Sequence, residues 1–397
     1  MTIDKRRKKL LATVSMYHAF NDGSSVTLPA IFPILFNQQL LIKNYSAIGN
    51  IIMSGMVVAI AAQWLVGHYI RPRHSRYFLA LDALIVGISL LLMTLAANFG
   101  MLVLFFIGMR LGTSIYHPVG ISWVSHSFKG NTLDRAMGTQ SAFGNIGVLL
   151  AFTSTGFLAH NFGWKMPLYI WGTANLFVVP IGLLLSKGTV SSDDVAEQKE
   201  TEKEPASWLL AFRQLRIFIP LTLLGGLAWG IIINYSPSLL NHRLALPMSH
   251  IGMILGCWMS AGTIAALLYG RVVSLLGRCK TVLTAIAIIT LASFIIAFGT
   301  NLTAIITAFA LLGLALFTTY PATISFISSS VGERNRTAGF AINANIAIAG
   351  NSIFAYISGH LSDRFGIQTP FILLGSMSVF MILYMSFIIR SGRVCPD

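Results

Sequence analysis

The chain has 397 residues, 55% of them hydrophobic and only 10% charged, with a mean hydropathy of +0.74. A soluble domain carries about a quarter charged residues, so this composition excludes a water-soluble globular protein and points to an α-helical membrane protein. The net charge of +14 does not indicate a nucleic-acid partner, because the basic residues sit in short loops between apolar runs rather than in a patch.

In chain order, a basic start (Met1 to Lys9) runs into a segment of full spanning length with no small-residue cleavage site, so no removed signal peptide is expected. Twelve spans are predicted. Six cover roughly 10–36, 45–68, 77–97, 100–127, 136–160 and 166–186, and six more cover 216–240, 248–273, 280–300, 302–330, 337–360 and 369–389. Between the two sets lies a polar linker with Asp193, Asp194, Glu197, Glu200, Glu202 and Glu204 interleaved with lysines, too polar to bury a face, with room for a short surface helix near Trp208. The expected organisation is an N-terminal six-helix bundle (1–187), a cytoplasmic linker (188–215) and a C-terminal six-helix bundle (216–397). Cys257, Cys279 and Cys395 are too scattered to form a disulfide or metal framework.

Orientation follows from the basic residues. With the N-terminus inside, the inner segments hold 22 Lys and Arg and the outer loops only four (Lys43, Lys165, Arg243, Arg364). Basic residues concentrate on the cytoplasmic side, so both termini are expected there.

The chain also repeats itself. A gap-free shift of 203 residues aligns Ile48-Gly49 with Ile251-Gly252, Asn98 with Asn301, and Pro118 with Pro321. The same shift aligns Gly147 with Gly350, Phe162-Gly163 with Phe365-Gly366, and Gly172 with Gly375. Two pseudo-symmetric halves of parallel topology are the plan of major facilitator transporters, whose substrate site lies between the halves near the midplane.

Charged or titratable groups inside the apolar runs are the functional candidates, since a charge at bilayer depth is costly unless it faces a protein interior or a cavity. In the first span His18, Asp22 and Ser25 share one helical face, with Asn21 beside them. Asp22 lies roughly 18 Å from the cytoplasmic start and Arg110, in the fourth span, about 15 Å from the outer end. An Asp22–Arg110 ion pair is therefore geometrically open. Arg110, Ser114 and His117 share a face in their turn, and His117 titrates nearest neutrality. Each of these groups also has a structural reading, as a capping, pairing or interhelical hydrogen-bonding residue. Pro118 and Pro321 are expected to bend their helices. Asp82 is expected near the cytoplasmic interface, partnering loop arginines. Gln140, Asn145, Asn234, Tyr235, Tyr320, Asn343, Asn345 and Asn351 are either interhelical hydrogen-bond formers or ligand contacts. Gly55, Gly144, Gly147, Gly256 and Gly262 are expected at close helix contacts.

The sequence has no phosphate-binding glycine loop, no metal-spaced His/Cys cluster and no nucleophile elbow. No enzyme activity, cofactor or metal is expected, and transport energy would come from a gradient.

The six-plus-six repeat resembles the major facilitator superfamily over the whole chain. His18-Ala-Phe-Asn-Asp22 with Pro33, Ser114-Ile-Tyr-His-Pro118, and Gln140 through Gly147 resemble the fosmidomycin-resistance-like efflux group more narrowly. Gly359-His-Leu-Ser-Asp-Arg-Phe-Gly366 is of general superfamily character. Two departures stand out. Arg71 occupies the place of the loop aspartate that helps latch the cytoplasmic gate in the superfamily. Val119 follows His-Pro where the narrower group tends to have glutamate, and Arg110 looks like the fourth-span arginine of proton-coupled drug antiporters.

The resemblance and the residues together imply a secondary active transporter in the plasma membrane, a monomer, exporting a small organic compound by alternating access against protons. Asp22 is expected as proton site, Arg110 as its partner, and His18, Tyr116 and His117 as cavity lining. An uptake symporter or facilitator for an organic anion or sugar-like metabolite, with Arg110 as clamp, stays open. So does a non-transporting membrane sensor.

Overall fold

The computed structural model describes residues 4–69, 74–128, 131–189, 207–331 and 335–392. The linker acids and the loop arginines Arg71 and Arg73 lie outside the described residues.

All regular structure among the described residues is helical. The long helices are α1 (Lys5–Asn37), α2 (Tyr45–Tyr69), α3 (Ser75–Met93), α4 (Phe99–Ser127), α5 (Asn131–Phe162) and α6 (Lys165–Leu185). A short α7 (Trp208–Leu215) and a single 3₁₀ turn (Arg216–Phe218) lead into α8 (Ile219–Leu244). Then come α9 (Met248–Leu276), α10 (Arg278–Phe298), α11 (Leu302–Ser330), α12 (Arg336–Phe365) and α13 (Thr369–Arg390). Among the described residues eleven segments are long and apolar enough to cross a membrane, α7 and α8 counting as one. The exception is α1, which has ample length at 33 residues but is diluted by polar residues along it.

The 203-residue repeat fixes local structure as well as residue identity. Helix α4 starts at Phe99 and α11 at Leu302, and each is capped by its preceding asparagine. Asn98 Oδ1 accepts from Met101 N at 2.9 Å, and Asn301 Oδ1 from Ala304 N at 3.0 Å. Each cap satisfies one of the backbone N–H groups that a helix start leaves without a partner. The counterpart of α1 begins at Trp208. Residues 208–215, expected within the linker, thus correspond to the first turns of α1. They are separated from α8 because Pro220, near the α8 start, lacks the N–H needed to continue the ladder. Pro118 and Pro321 both lie inside uninterrupted helices.

The chain divides into two compact units. Unit 1 comprises Met1–Lys43 and Ser54–Pro205, and unit 2 Asn44–Met53 and Ala206–Asp397, so α2 contributes to both. In unit 1, α1 packs chiefly on α5, and α3 on α4 and α6. The closeness of α1 and α5 depends on Gly147, where a Cβ would fall 2.0 Å from the Ala19 carbonyl oxygen. Unit 2 repeats this at Gly350, where a Cβ would lie 3.1 Å from the Leu223 carbonyl oxygen. Within unit 2, Asp363 accepts from the backbone N–H groups of Tyr45 (2.6 Å) and Ser46 (3.0 Å), capping α2.

Candidate functional site

The site is built in unit 1, where α1, α4 and α5 meet. His18 and Asp22 are one turn apart on α1, and His18 Nε2 lies 3.0 Å from Asp22 Oδ2. The other ring nitrogen, Nδ1, is 2.7 Å from the backbone carbonyl oxygen of Gln140 on α5. A carbonyl oxygen only accepts, so Nδ1 carries hydrogen. In a neutral imidazole Nε2 would then be a bare acceptor facing a carboxylate oxygen. That contact is repulsive unless a proton lies between them. The pair is therefore either imidazolium with carboxylate or imidazole with carboxylic acid, and in both forms it holds one proton.

The surroundings fix this geometry. The Tyr116 ring stacks on His18 with centroids 4.4 Å apart, and its hydroxyl donates to Gln140 Oε1 at 2.9 Å, with Val14 O at 3.2 Å. Gly144 closes the wall, for a Cβ there would lie 2.7 Å from His18 Nε2 and 2.9 Å from Asp22 Oδ2. The second carboxylate oxygen, Asp22 Oδ1, accepts from Asn21 Nδ2 at 2.9 Å, and His117 Nε2 approaches it at 3.6 Å. His18 is 8% exposed as a side chain, Asp22 26% and His117 43%, so exposure rises from one end of the cluster to the other.

His18, Asp22 and His117 offer three ligand atoms within 4.8 Å of one another. Sequence spacing could not bring them together, because His117 comes from another helix. Ligands about 2.0–2.2 Å from a zinc-like ion in a tetrahedral site stand roughly 3.3 Å apart. The set is wider than that, whereas the 3.0 Å His18–Asp22 contact suits a shared proton.

Two sequence expectations are corrected. His117, not Arg110, faces the Asp22 carboxylate. Arg110 lies seven residues away on α4, roughly 10 Å along the axis. Its stem packs where a Gly55 Cβ would stand, 2.6 Å from Arg110 Cγ, and its Nη1 approaches Thr113 Oγ1 at 3.5 Å. Among the described residues no carboxylate lies within ion-pair distance of it. Tyr116 does not line a cavity. It is fully buried, its hydroxyl being used between α1 and α5. Asp82 is 1% exposed, and among the described residues its Oδ1 has no hydrogen-bond partner; Arg71 and Arg73, among the loop arginines it was expected to partner, lie outside the described residues.

The remaining candidates are placed as follows. Ser114 is buried and donates to the Arg110 carbonyl at 2.5 Å, and Ser25 donates to the Asp22 carbonyl at 2.7 Å, so neither hydroxyl reaches the Asp22 carboxylate. Asn145 is half-buried on α5. In unit 2, Asn234 donates to the Gly230 carbonyl at 2.8 Å, Tyr235 to the Ala355 carbonyl at 2.5 Å, and Asn343 accepts from Thr222 at 2.6 Å. These three side chains are buried, whereas Tyr320 is 67% exposed. Sequence reasoning gave Gln140 and Gly144 only generic roles. Their signal was the four-residue spacing that puts both on the α5 face turned to α1.

The Major Facilitator Superfamily model matches residues 14–256 and 218–394. The chain belongs to the major facilitator superfamily. It is similar to the uncharacterized MFS-type transporter YcaD of Escherichia fergusonii, at 26% identity over 228 residues, 56% of this chain and 55% of that one. It is also similar to the uncharacterized MFS-type transporter YfnC of Bacillus subtilis, at 29% identity over 144 residues, 36% of this chain and 34% of that one. The matched regions thus span about half and about a third of these curated relatives. Among solved structures, a bacterial homolog of the human lysosomal transporter Spinster superposes with a TM-score of 0.77 at 15% identity, covering 99% of this chain and 98% of that one. The nucleoside transporter NupG superposes with a TM-score of 0.76 at 15% identity, covering 97% and 99%. At such identity the likeness establishes the fold alone, that of a multi-pass helical membrane protein.

Proposed function

We propose that this superfamily member is a secondary active transporter of the plasma membrane that exports a small organic compound in exchange for protons. The observation that carries the proton part is the His18–Asp22 contact, with the Gln140 carbonyl fixing the tautomer so that one proton must lie between Nε2 and Oδ2. Such a pair binds a proton without leaving an isolated charge in an apolar surround. Asp22 is the carrier, His18 shares the proton, and His117 sits where it can take or give one as the pair opens. The likeness of the His18–Asp22 and Ser114–Pro118 motifs to fosmidomycin-resistance-like exporters supports efflux. The cycle would follow the alternating-access plan of inverted and parallel repeats, with a monomer sufficient and both termini cytoplasmic.

The test has two steps. A ligand-induced thermal-shift screen on purified protein first names a transported compound, since binding to the native state raises stability by mass action. Transport of that compound is then followed in proteoliposomes under an imposed pH gradient. Asp22→Asn is expected to bind it yet fail to accumulate it against its gradient. Accumulation equal to wild type would remove the coupling role.

A second reading is favoured by one observation. The Arg110 guanidinium is half-buried and among the described residues has no carboxylate within ion-pair distance, which suits a clamp for an organic anion taken up with protons. Arg110→Lys separates the two readings. A clamp that needs a planar two-pronged donor loses affinity, whereas a residue that acts only as a charge does not.

A further inference from the structure

The His18–Asp22 pair is not the only acid inside unit 1. Asp82 lies seven residues into α3, roughly 10 Å along it, and is 1% exposed. Near it lie Tyr17 and Tyr116, which belong to an apolar cluster with Leu79 and Ala83 of α3. Its Oδ1 has no hydrogen-bond partner, and among the described residues no cation pairs with it.

The neighbours of α3 are α1, α4 and α6. From α1, Tyr17 and Asp22 act on Asp82 electrostatically, and from α4, Tyr116 does so. The only titratable side chains of α6 are Lys165 and Tyr169, in its first turns. Those lie at the far end, because Gly87, a turn beyond Asp82, already meets Gly172 and Leu176. Among the described residues no positive group pairs with an ionised Asp82, and the carboxylate of Asp22 would repel it. An isolated carboxylate in such a place takes up a proton rather than remain charged.

We propose that Asp82 is a second proton-carrying carboxyl of unit 1, protonated in this conformation and releasing its proton where a change of conformation during the cycle admits water to it. The O–H bond breaks with its electron pair left on the carboxylate, and the proton leaves as hydronium. This extends the proton-coupled reading above and rests on it. Repulsion between the two carboxylates links the sites, since a proton loaded at Asp22 makes an ionised Asp82 easier to tolerate. The repeat places Ala285 at the corresponding position of unit 2, so this acid, like Asp22, belongs to one half only.

The full chain in liposomes, with the proton as its own probe, tests this. Infrared spectra of wild type, Asp82→Asn and Asp22→Asn are recorded as the pH is stepped from about 5 to about 10. A carboxylic-acid C=O stretch is expected in wild type that Asp82→Asn removes, that Asp22→Asn leaves in place, and that fades reversibly as the pH rises. No such band at the acid end overturns the proposal, as does a band unchanged at the alkaline end, since the group would then be fixed in one state. Asp82→Glu guards against a folding artefact, for it should restore an acid band where asparagine abolishes it. If gradient-driven transport is unchanged in Asp22→Asn while the Asp82 band titrates, the His18–Asp22 reading fails and the second carboxyl stands. The opposite result removes Asp82 alone.

Discussion

Gly144 is where the proposed proton pair can be disturbed with the smallest possible change. A methyl group at this position would stand 2.7 Å from His18 Nε2, 2.8 Å from His18 Cε1 and 2.9 Å from Asp22 Oδ2, all inside van der Waals contact. His18 cannot simply step aside, because Nδ1 is tied to the Gln140 carbonyl and the ring is stacked on Tyr116. The methyl group would therefore wedge between imidazole and carboxylate and lengthen their 3.0 Å contact. Overpacking of this kind costs about 1–3 kcal/mol. Replacing glycine by alanine in a helix returns about 1 kcal/mol, so Gly144→Ala should be neutral to roughly 2 kcal/mol less stable. The same helix supplies its own control. Gly138 is exposed, with nothing within 4 Å of its virtual Cβ, so Gly138→Ala should keep the full helix gain. Both variants are compared by their thermal unfolding midpoint in detergent and by pH-gradient-driven transport in proteoliposomes. The expectation is that Gly138→Ala unfolds higher and transports normally, while Gly144→Ala unfolds lower than Gly138→Ala and loses coupling. A Gly144→Ala protein as stable and as well coupled as Gly138→Ala would refute the view that this glycine sets the His18–Asp22 geometry.

Tyr116→Phe keeps the stack on His18 but strands Gln140 Oε1, so chemical denaturation should show a loss of about 1–3 kcal/mol. Gly147→Ala places a Cβ 2.0 Å from the Ala19 backbone oxygen, which cannot rotate away, and should lower the folded yield on size exclusion or cost about 3 kcal/mol. Gly225→Ala, at the position in the repeat that corresponds to Asp22, meets nothing within 4 Å and should raise the unfolding midpoint by up to the equivalent of about 1 kcal/mol. Asn98→Ala and Asn301→Ala remove equivalent caps and should each cost about 1 kcal/mol; a large difference between them would count against the local equivalence of the two halves.

Several features were legible in the residues alone. Long apolar runs, separated by charged or glycine-containing turns, are a local property, and backbone satisfaction in hydrocarbon leaves helices as the form they take. The repeat was legible too, because it is written in residue identity at a fixed spacing, and the paired Asn98 and Asn301 caps show that it carries structure. His18 and Asp22 could be put on one face because the helical period is fixed by backbone geometry. That Asp22 and Arg110 have no charged counterpart in the second half was readable as well, since they fall on Gly225 and Gly313 in the repeat.

What the sequence left open concerns relations between helices, which depend on axial offset and rotation rather than on spacing along one chain segment. Arg110 and His117 share a face of α4, and only the height at which α4 packs against α1 sets His117 rather than Arg110 beside Asp22. Asp82 sits near a helix start, and it is the packing of α1, α4 and α6 around α3, not its place in the sequence, that buries it. The tautomer of His18 was decided by a backbone carbonyl 122 residues away, a group every residue possesses and no sequence pattern marks. The sequence by itself determined which groups are available and which share a helix face; the tertiary structure alone decided which of them meet, because proton sharing depends on ångström distances that only the packing of separate helices sets.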